Sequence, residues 1–333
     1  MPLFVCTLGR DMSKALPWIK FGLSVSLLGA VAYLLDWREA KQLLLETPLM
    51  NMVIALGLLL GAYLANGIRL ILLQKCIDLE VPRALFWGTY YTGLLMNSVL
   101  PSGVGGDVVR VLLLSRRGYP MGVLAAAGLV DRYLGLLGLL AIAGLALIFV
   151  PVELPMARSH GQLAGVALVL VSVLGLSWLP RLGLFFFSRM GNRGTSGLWE
   201  KVKRGAGIFQ QIFKHPGQLT FPALLSLVSH LLYILSYASL GHSLLPDMSL
   251  LSYFLAIPGV MMILLIPISL GGLGVREIST VGLLVWLGAG QQEALTLSLL
   301  FLAISWISVI PAIATAIHYS FGLETIKEHP DAT

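Results

Sequence analysis

Charged residues are scarce in this sequence: 11% of its 333 residues are Asp, Glu, Lys or Arg, while 57% are hydrophobic. A soluble protein carries about 25% charged residues, so this composition excludes a soluble globular domain. Only helices and closed barrels satisfy the backbone in lipid, and the apolar runs do not alternate as barrel strands do, so we predict an all-α polytopic membrane protein. A spanning helix needs roughly 20 apolar residues. Runs near that length occupy residues 17–35, 51–73, 84–100, 121–150, 161–180, 219–245, 250–266 and 293–320.

The sequence also lacks the motifs of several other protein classes. Its two cysteines, Cys6 and Cys76, are too few for a disulfide framework and show no CxxC spacing. It has no nucleic-acid-binding module, no Walker-type phosphate loop and no His/Asp/Cys spacing typical of a metal site. It has no nucleophile elbow or Ser–His arrangement. We therefore expect a protein that is not an enzyme, needs no cofactor, binds no nucleic acid and is not driven directly by ATP.

Basic residues are unevenly distributed among the polar segments. The segment 181–217 contains seven basic residues and one acid, so the positive-inside rule places it in the cytoplasm. Segments 36–50, 151–160 and 241–250 contain three basic residues together and are predicted to be loops on the outside. These assignments place both termini in the cytoplasm. The basic linker 181–217 is interpreted either as holding an interfacial amphipathic helix or as a simple loop.

Two of the apolar runs do not fit full crossings. If the run 84–100 crossed the membrane, the basic residues at 115–118 would lie outside and every later loop would invert. A re-entrant helical hairpin over about 84–117 avoids this conflict, and a second hairpin over about 250–288 follows from the same reasoning. The predicted fold is a single integral membrane domain, residues 1–333, with about six full transmembrane helices and two re-entrant hairpins.

The two predicted hairpins contain similar turns. Without gaps, PSGVGGDVVR (residues 101–110) matches PISLGGLGVR (residues 267–276) at five of ten positions. Three full crossings separate the copies, so the hairpins are oppositely oriented, as in inverted-repeat transporters, and we expect the two segments to superpose. Prolines end the incoming helices, and glycines permit tight turns and close backbone approach to a ligand. The turn residues are Pro101, Gly105, Gly106, Pro267, Gly271, Gly272 and Gly274.

Ionisable residues at membrane depth form the candidate site, since each costs roughly 2.5–3.5 kcal/mol to insert and must pair or line a wet cavity. One interpretation is internal salt bridging, with Asp131 or Asp107 neutralising Arg69 or Arg132. The other is a binding site, because four arginines against three acids leave one positive charge. The candidate headgroup-binding residues are Arg69, Asn97, Asp107, Arg110, Asp131, Arg132, Arg276 and Glu277.

Arg110 and Arg276 are the candidates for direct contact with an anion. Each follows a hairpin turn, so each is predicted at the start of an outgoing half-helix whose positive dipole end faces the cavity. Guanidinium is suited to phosphate, and Asp107 and Glu277 are the predicted counter-charges. A polar helix face is interpreted instead as interhelical hydrogen bonding. Its members are Ser226, Ser229, His230, Tyr233 and Tyr237.

The hairpin sequences carry a family resemblance. NSVLPSGVGGDVVR and PISLGGLGVRE are similar to the two signature regions of the lysylphosphatidylglycerol synthase transmembrane-region family, and NGIRLILLQ and LVDRYLGLLGL extend the likeness along the chain. That family includes the flippase domain of multiple peptide resistance factors. The resemblance implies a lipid-handling domain in the bacterial inner membrane. The chain ends at Thr333 with no cytosolic aminoacyltransferase domain, so we do not expect synthase activity.

The leading functional hypothesis is a lipid flippase. A cavity between the two hairpins would pass an anionic or aminoacylated phospholipid headgroup, or a polyprenyl phosphate, while the lipid tails stay in the bilayer. Membrane lipids are then its partners, and transport is downhill or coupled to protons. Two alternatives stay open: a transporter of a small soluble anion, and a non-transporting partner of a lipid synthase or glycosyltransferase. A homo-oligomer or an association with a lipid-modifying enzyme is compatible with the sequence.

Overall fold

A computed structural model describes residues 21–100, 105–149, 158–189, 216–266 and 268–321, and over these ranges the chain is helical with no strand. Short 3₁₀ turns occur at Pro216–Leu219 and Leu270–Gly272. The twelve α-helices of the described ranges are α1 Phe21–Leu34, α2 Trp37–Glu46, α3 Leu49–Lys75, α4 Arg83–Val99, α5 Gly105–Ser115, α6 Met121–Phe149, α7 Arg158–Arg189, α8 Thr220–Leu244, α9 Leu250–Ile263, α10 Val275–Trp286, α11 Gln291–Val309 and α12 Pro311–Phe321.

The helices confirm a polytopic all-helical membrane protein. Four of those described are long and apolar enough to cross a bilayer: Leu49–Lys75, Met121–Phe149, Gly217–Leu244 and Gln291–Val309. The described residues also contain three shorter apolar helices. The total of six crossings stays a prediction.

Two segments differ from the predicted elements. The run 293–320 was predicted as one crossing, but α11 ends at Val309 and α12 starts at Pro311. Proline has no N–H to continue the hydrogen-bond ladder of α11, yet it is favoured in the first turn of a new helix. The predicted outer loop 36–50 contains the helix α2, whose first turn is capped because Asp36 Oδ1 accepts the backbone N–H of Arg38 at 2.9 Å.

The chain packs as two compact units. Unit 1 comprises Met1–Gly57, Leu95–Gly106 and Ile234–Ser308. Unit 2 comprises Leu58–Leu94, Asp107–Tyr233 and Val309–Thr333. Several helices, α5 among them, contribute residues to both units.

Helices α4 and α5 form an antiparallel pair, here called hairpin 1. The end of α4 meets the start of α5, where Asn97 Oδ1 accepts the Gly106 N–H at 2.8 Å. The start of α4 meets the end of α5, because Leu85 packs against the buried cluster that contains Val111 and Leu114. Helix α5 has 11 residues. That is about 17 Å at 1.5 Å per residue, roughly half the bilayer core.

Helices α9 and α10 form the second antiparallel pair, hairpin 2, within unit 1. Leu283 of α10 lies against Gly259 of α9, where an added Cβ would be 3.0 Å from the Leu283 side chain. Near the turn, Leu264 lies against Gly272 in the same way. Helix α10 has 12 residues, so it too is too short to span the core. The re-entrant course of both hairpins stays a prediction, and Pro101 and Pro267 lie outside the described residues.

Segments that the charge distribution assigns to the same side of the membrane are in contact. In unit 1, the Asp36 N–H donates to Gln292 Oε1 at 3.0 Å, which joins two predicted outer segments. In unit 2, Arg117 Nη2 donates to the Tyr319 carbonyl at 3.2 Å, and the Tyr319 hydroxyl donates to the Ala84 carbonyl at 3.1 Å. Arg117 lies in a predicted cytoplasmic segment, and Ala84 and Tyr319 lie at the predicted cytoplasmic ends of their apolar runs. The contacts agree with the predicted topology within each unit, while the sides themselves stay a prediction.

Candidate functional site

Unit 2 brings five of the candidate charged residues together from three helices. Arg69 comes from α3, Asp107 and Arg110 from α5, and Asp131 and Arg132 from α6. They form one cluster, because Arg69 interacts electrostatically with Asp107 as well as with Asp131. Three guanidinium groups and two carboxylates give the cluster one excess positive charge.

Arg69 makes three side-chain hydrogen bonds inside the protein. Its Nε and Nη2 donate to the two carboxylate oxygens of Asp131 at 2.7 and 2.9 Å, in a bidentate pair. Its Nη1 donates to Ser226 Oγ at 2.8 Å. The internal salt-bridge interpretation is therefore confirmed for Arg69. His230 Nε2 lies 2.8 Å from the Gly135 carbonyl, so for Ser226 and His230 the interhelical hydrogen-bonding interpretation is confirmed as well.

Asp107 is shared between two arginines. Arg132 donates from Nε and Nη2 to Asp107 Oδ2 at 2.8 and 2.5 Å. Arg110 Nη2 lies 3.7 Å from the other oxygen, Oδ1, which is too far for a hydrogen bond. The Asp107 and Arg132 side chains are 30% and 37% exposed, so this ion pair is the accessible part of the cluster.

Arg110 is buried without hydrogen bonds. Its side chain is 5% exposed, and none of the described residues hydrogen-bonds to its guanidinium. A guanidinium carries five N–H donors and no acceptor, so an anionic oxygen is the group that would satisfy it. Its nearest carboxylate oxygen is Asp107 Oδ1 at 3.7 Å, an ion pair without a hydrogen bond, and a buried charge that is incompletely paired destabilises the fold. Among the described residues, this is the clearest indication of a ligand.

Small residues on α6 make room for the arginines. An added Cβ on Gly128 would lie 3.4 Å from Arg110 Nη2, and one on Gly135 would lie 3.6 Å from Arg69 Nη2. Gly128, Asp131 and Gly135 follow the i, i+3, i+7 spacing that shares one helix face. We did not predict the role of these glycines from the sequence, although that spacing was the signal that would have found it.

The two charged residues of hairpin 2, Arg276 and Glu277, form an ion pair in unit 1. Arg276 Nε donates to Glu277 Oε1 at 3.0 Å, and Glu277 Oε2 accepts the Gly274 N–H at 2.6 Å. Glu277 is 0% exposed. The Arg276 guanidinium lies 5.9 Å from the centre of the Phe301 ring, in a cation–π arrangement. Glu277 thus caps its own helix and neutralises its neighbour.

The turn of hairpin 2 packs directly on other parts of unit 1. Gly271 and Gly274 have φ values of 53° and 80°, in the left-handed region that favours glycine. The Gly271 N–H donates to the Leu100 carbonyl at 3.1 Å, at the end of α4. The Leu270 N–H donates to Ser24 Oγ of α1 at 2.8 Å, a contact that the sequence reasoning missed.

The two matched segments differ in backbone conformation, so the prediction that they superpose is wrong over the described positions. Gly105 and Gly106 lie in the first turn of α5 with no left-handed φ, whereas their counterparts Gly271 and Gly272 precede α10 with φ values of 53° and 80°. Hairpin 2 has Gly274, with φ of 80°, where hairpin 1 has a valine. A left-handed residue ends a right-handed helix, and valine disfavours that conformation.

Arg110 and Arg276 consequently occupy different positions in their helices. Arg276 is the second residue of α10, at the helix start as predicted. Arg110 is the sixth residue of α5, more than one turn inside, and its predicted place at a helix start is wrong. Its positive charge therefore acts through contact with its neighbours and not together with the dipole at the helix terminus.

Comparison with known proteins identifies one family. The sequence model described as "Lysylphosphatidylglycerol synthase TM region" matches residues 18–312, which include both hairpins and all seven intramembrane charges. No curated protein and no solved structure matches the chain.

Proposed function

Because the chain belongs to the lysylphosphatidylglycerol synthase transmembrane-region family, we propose that it moves an anionic lipid headgroup across the bacterial inner membrane. Family membership gives it a lipid-related membrane function, and transport is the form of that function which we propose. In this proposal the protein is a flippase and not an enzyme. The lipid tails remain in the bilayer while the headgroup passes the charged cluster of unit 2.

The observation that carries the proposal is Arg110. A buried guanidinium without a hydrogen-bond partner among the described residues, in a cluster with one excess positive charge, suits a headgroup phosphate. Asp107 and Arg132 are the partly exposed members of the cluster, so we propose that the headgroup approaches Arg110 past them. A charge-assisted hydrogen bond is roughly twice as strong as one between neutral groups, so the Arg110 guanidinium favours a phosphate oxygen as its partner.

The short helices of the two hairpins support the membrane course of the proposal. Helices α5 and α10 are each about half a bilayer long, and a non-helical turn with left-handed glycines precedes α10. Non-helical backbone at membrane depth is tolerated where it is buried in protein or lines a cavity. We propose that both hairpins are re-entrant and that both termini are cytoplasmic. Labelling of single cysteines at positions 117 and 201 from the same side of the membrane tests this topology.

Lipid movement in reconstituted vesicles tests the function. Vesicles containing fluorescent phosphatidylglycerol are treated with a membrane-impermeant quencher, which reaches only the outer leaflet. Wild-type protein should expose inner-leaflet lipid to the quencher faster than protein-free vesicles do, and Arg110→Ala should abolish the increase. Arg116→Ala is the matched control, because Arg116 is exposed just beyond α5. Movement at the protein-free rate with correctly inserted wild-type protein would overturn the proposal.

A further inference from the structure

We infer that the cluster of unit 2 is matched to a single negative charge, and that a monoanionic phosphodiester binds Arg110 while Asp107 stays paired with Arg132. The inference rests on the proposed function and names its substrate class. Phosphodiester headgroups with one net negative charge should be selected over dianionic phosphomonoesters and over zwitterionic headgroups.

One ion pair in the cluster is fixed. Arg69 and Asp131 are joined by two hydrogen bonds, and Arg69 is held further by Ser226. Separating a buried pair with two hydrogen bonds would leave two charges unpaired, so this pair stays closed when a ligand binds. The charge that a ligand meets is therefore set by Asp107, Arg110 and Arg132.

Asp107 is hydrogen-bonded to Arg132 but not to Arg110. Its Oδ2 is held by Arg132 through two short contacts, whereas its Oδ1 faces Arg110 at 3.7 Å without a hydrogen bond. A phosphodiester oxygen can take the donors of Arg110 while Asp107 remains on Arg132. No hydrogen bond of the described residues breaks in that step, and the buried guanidinium gains charge-assisted hydrogen bonds.

The charge count gives the selectivity. Three arginines and two aspartates leave one positive charge, which a phosphodiester neutralises. A phosphomonoester carries about −1.5 to −2 at pH 7, because its second pKa is near 6, and so brings excess negative charge into a site of low dielectric. A zwitterionic headgroup brings no net charge and leaves the cluster with one excess positive charge. Both mismatches oppose binding.

The test changes the charge of the cluster in both directions. Asp107→Asn raises the net charge to two, and Arg132→Gln lowers it to zero. Purified protein is equilibrated at pH 8 with phosphatidylglycerol, phosphatidic acid and phosphatidylethanolamine of identical chains, and bound lipid is counted by native mass spectrometry. Asp247→Asn is the matched control, an exposed carboxylate of unit 1 outside the cluster.

Wild-type protein and Asp247→Asn should prefer phosphatidylglycerol over both other lipids by about tenfold, the factor that 1.4 kcal/mol represents. Asp107→Asn should shift the preference toward phosphatidic acid, and Arg132→Gln toward phosphatidylethanolamine. If both variants keep the wild-type preference, charge matching is wrong. If one variant does not fold, the other still decides the result, because the two shifts are opposite in sign.

Two further arms separate the possible sources of the phosphodiester and the possible failures. Diethyl phosphate, a soluble phosphodiester, should displace phosphatidylglycerol only at concentrations far above those of the lipid. Equal potency would overturn the assignment to a lipid headgroup in favour of a soluble anion. Charge-matched binding without movement in vesicles would defeat the proposed function while leaving the site in place. Movement whose rate does not depend on headgroup charge would defeat the inference alone.

Discussion

Hairpin 1 and hairpin 2 share a sequence motif but use its charges differently. In hairpin 2, Arg276 and Glu277 neutralise each other, and the glutamate also caps its own helix. In hairpin 1, Asp107 reaches across to α6 and leaves Arg110 without a hydrogen bond among the described residues. A repeated arginine therefore need not repeat a role: Arg276 is paired within its own helix, and Arg110 is the residue for which we propose a ligand.

Glycine makes the same distinction in the backbone. Gly271, Gly272 and Gly274 of hairpin 2 form a left-handed turn that contacts Leu100 and lies close to α1, whereas Gly105 and Gly106 of hairpin 1 are part of a helix. The turn of hairpin 2 thus joins α1 and the end of α4 within unit 1.

Glu277→Ala should destabilise the protein more than Asp107→Ala. Glu277 is fully buried, so its removal strips Arg276 of the carboxylate at 3.0 Å and frees the Gly274 N–H, at a cost of about 3–5 kcal/mol. Asp107 is 30% exposed, and water can compensate part of its loss. Thermal unfolding of the two variants in the same detergent measures the difference. An equal loss of Tm in both variants would mean that the carboxylates of the two hairpins contribute equally to stability.

Gly271→Ala should destabilise the turn of hairpin 2. An alanine at φ of 53° costs about 1–2 kcal/mol, and its Cβ would lie 2.6 Å from the Ser98 carbonyl, which is backbone and cannot move aside easily. Gly282→Ala in α10 is the matched control, because its Cβ would meet open space. The control should keep or slightly raise Tm. An unchanged Tm for Gly271→Ala would show that this turn does not stabilise the protein.

Asn97→Ala should have the smallest effect, confined to the start of α5. It removes the side-chain oxygen that accepts the Gly106 N–H, which is typically worth about 1 kcal/mol for a helix cap. Asn97→Gln keeps an amide oxygen and adds no charge, so it should lose less stability than Asn97→Ala. A loss of Tm in the glutamine variant as large as in the alanine variant would show that the bond to Gly106 is not what Asn97 contributes.

The sequence was enough to predict the helical membrane class, the family and the presence of a short helix after each hairpin turn. The distribution of basic residues and the repeated proline- and glycine-containing turns can be read without knowing the packing, and α5 and α10 followed from them. It was not enough to pair the charges, because Arg69 and Asp131 are 62 residues apart and their pairing depends on helix packing. The equal weight given to Arg110 and Arg276 came from their matched motifs. Their backbones differ, because Gly271, Gly272 and Gly274 have left-handed φ values in hairpin 2 whereas Gly105 and Gly106 are helical in hairpin 1.

The most direct test of the central claim compares Arg110→Gln with Arg276→Gln in two measurements on the same preparations: phosphatidylglycerol movement per folded molecule, and Tm. The account predicts that Arg110→Gln slows movement by about tenfold or more, the factor for 1.4 kcal/mol, without lowering Tm. Arg276→Gln should lower Tm, because it leaves the buried Glu277 carboxylate without its partner at 3.0 Å, and should affect movement less. Wild-type movement in Arg110→Gln, or the reverse order of the two variants, would contradict it.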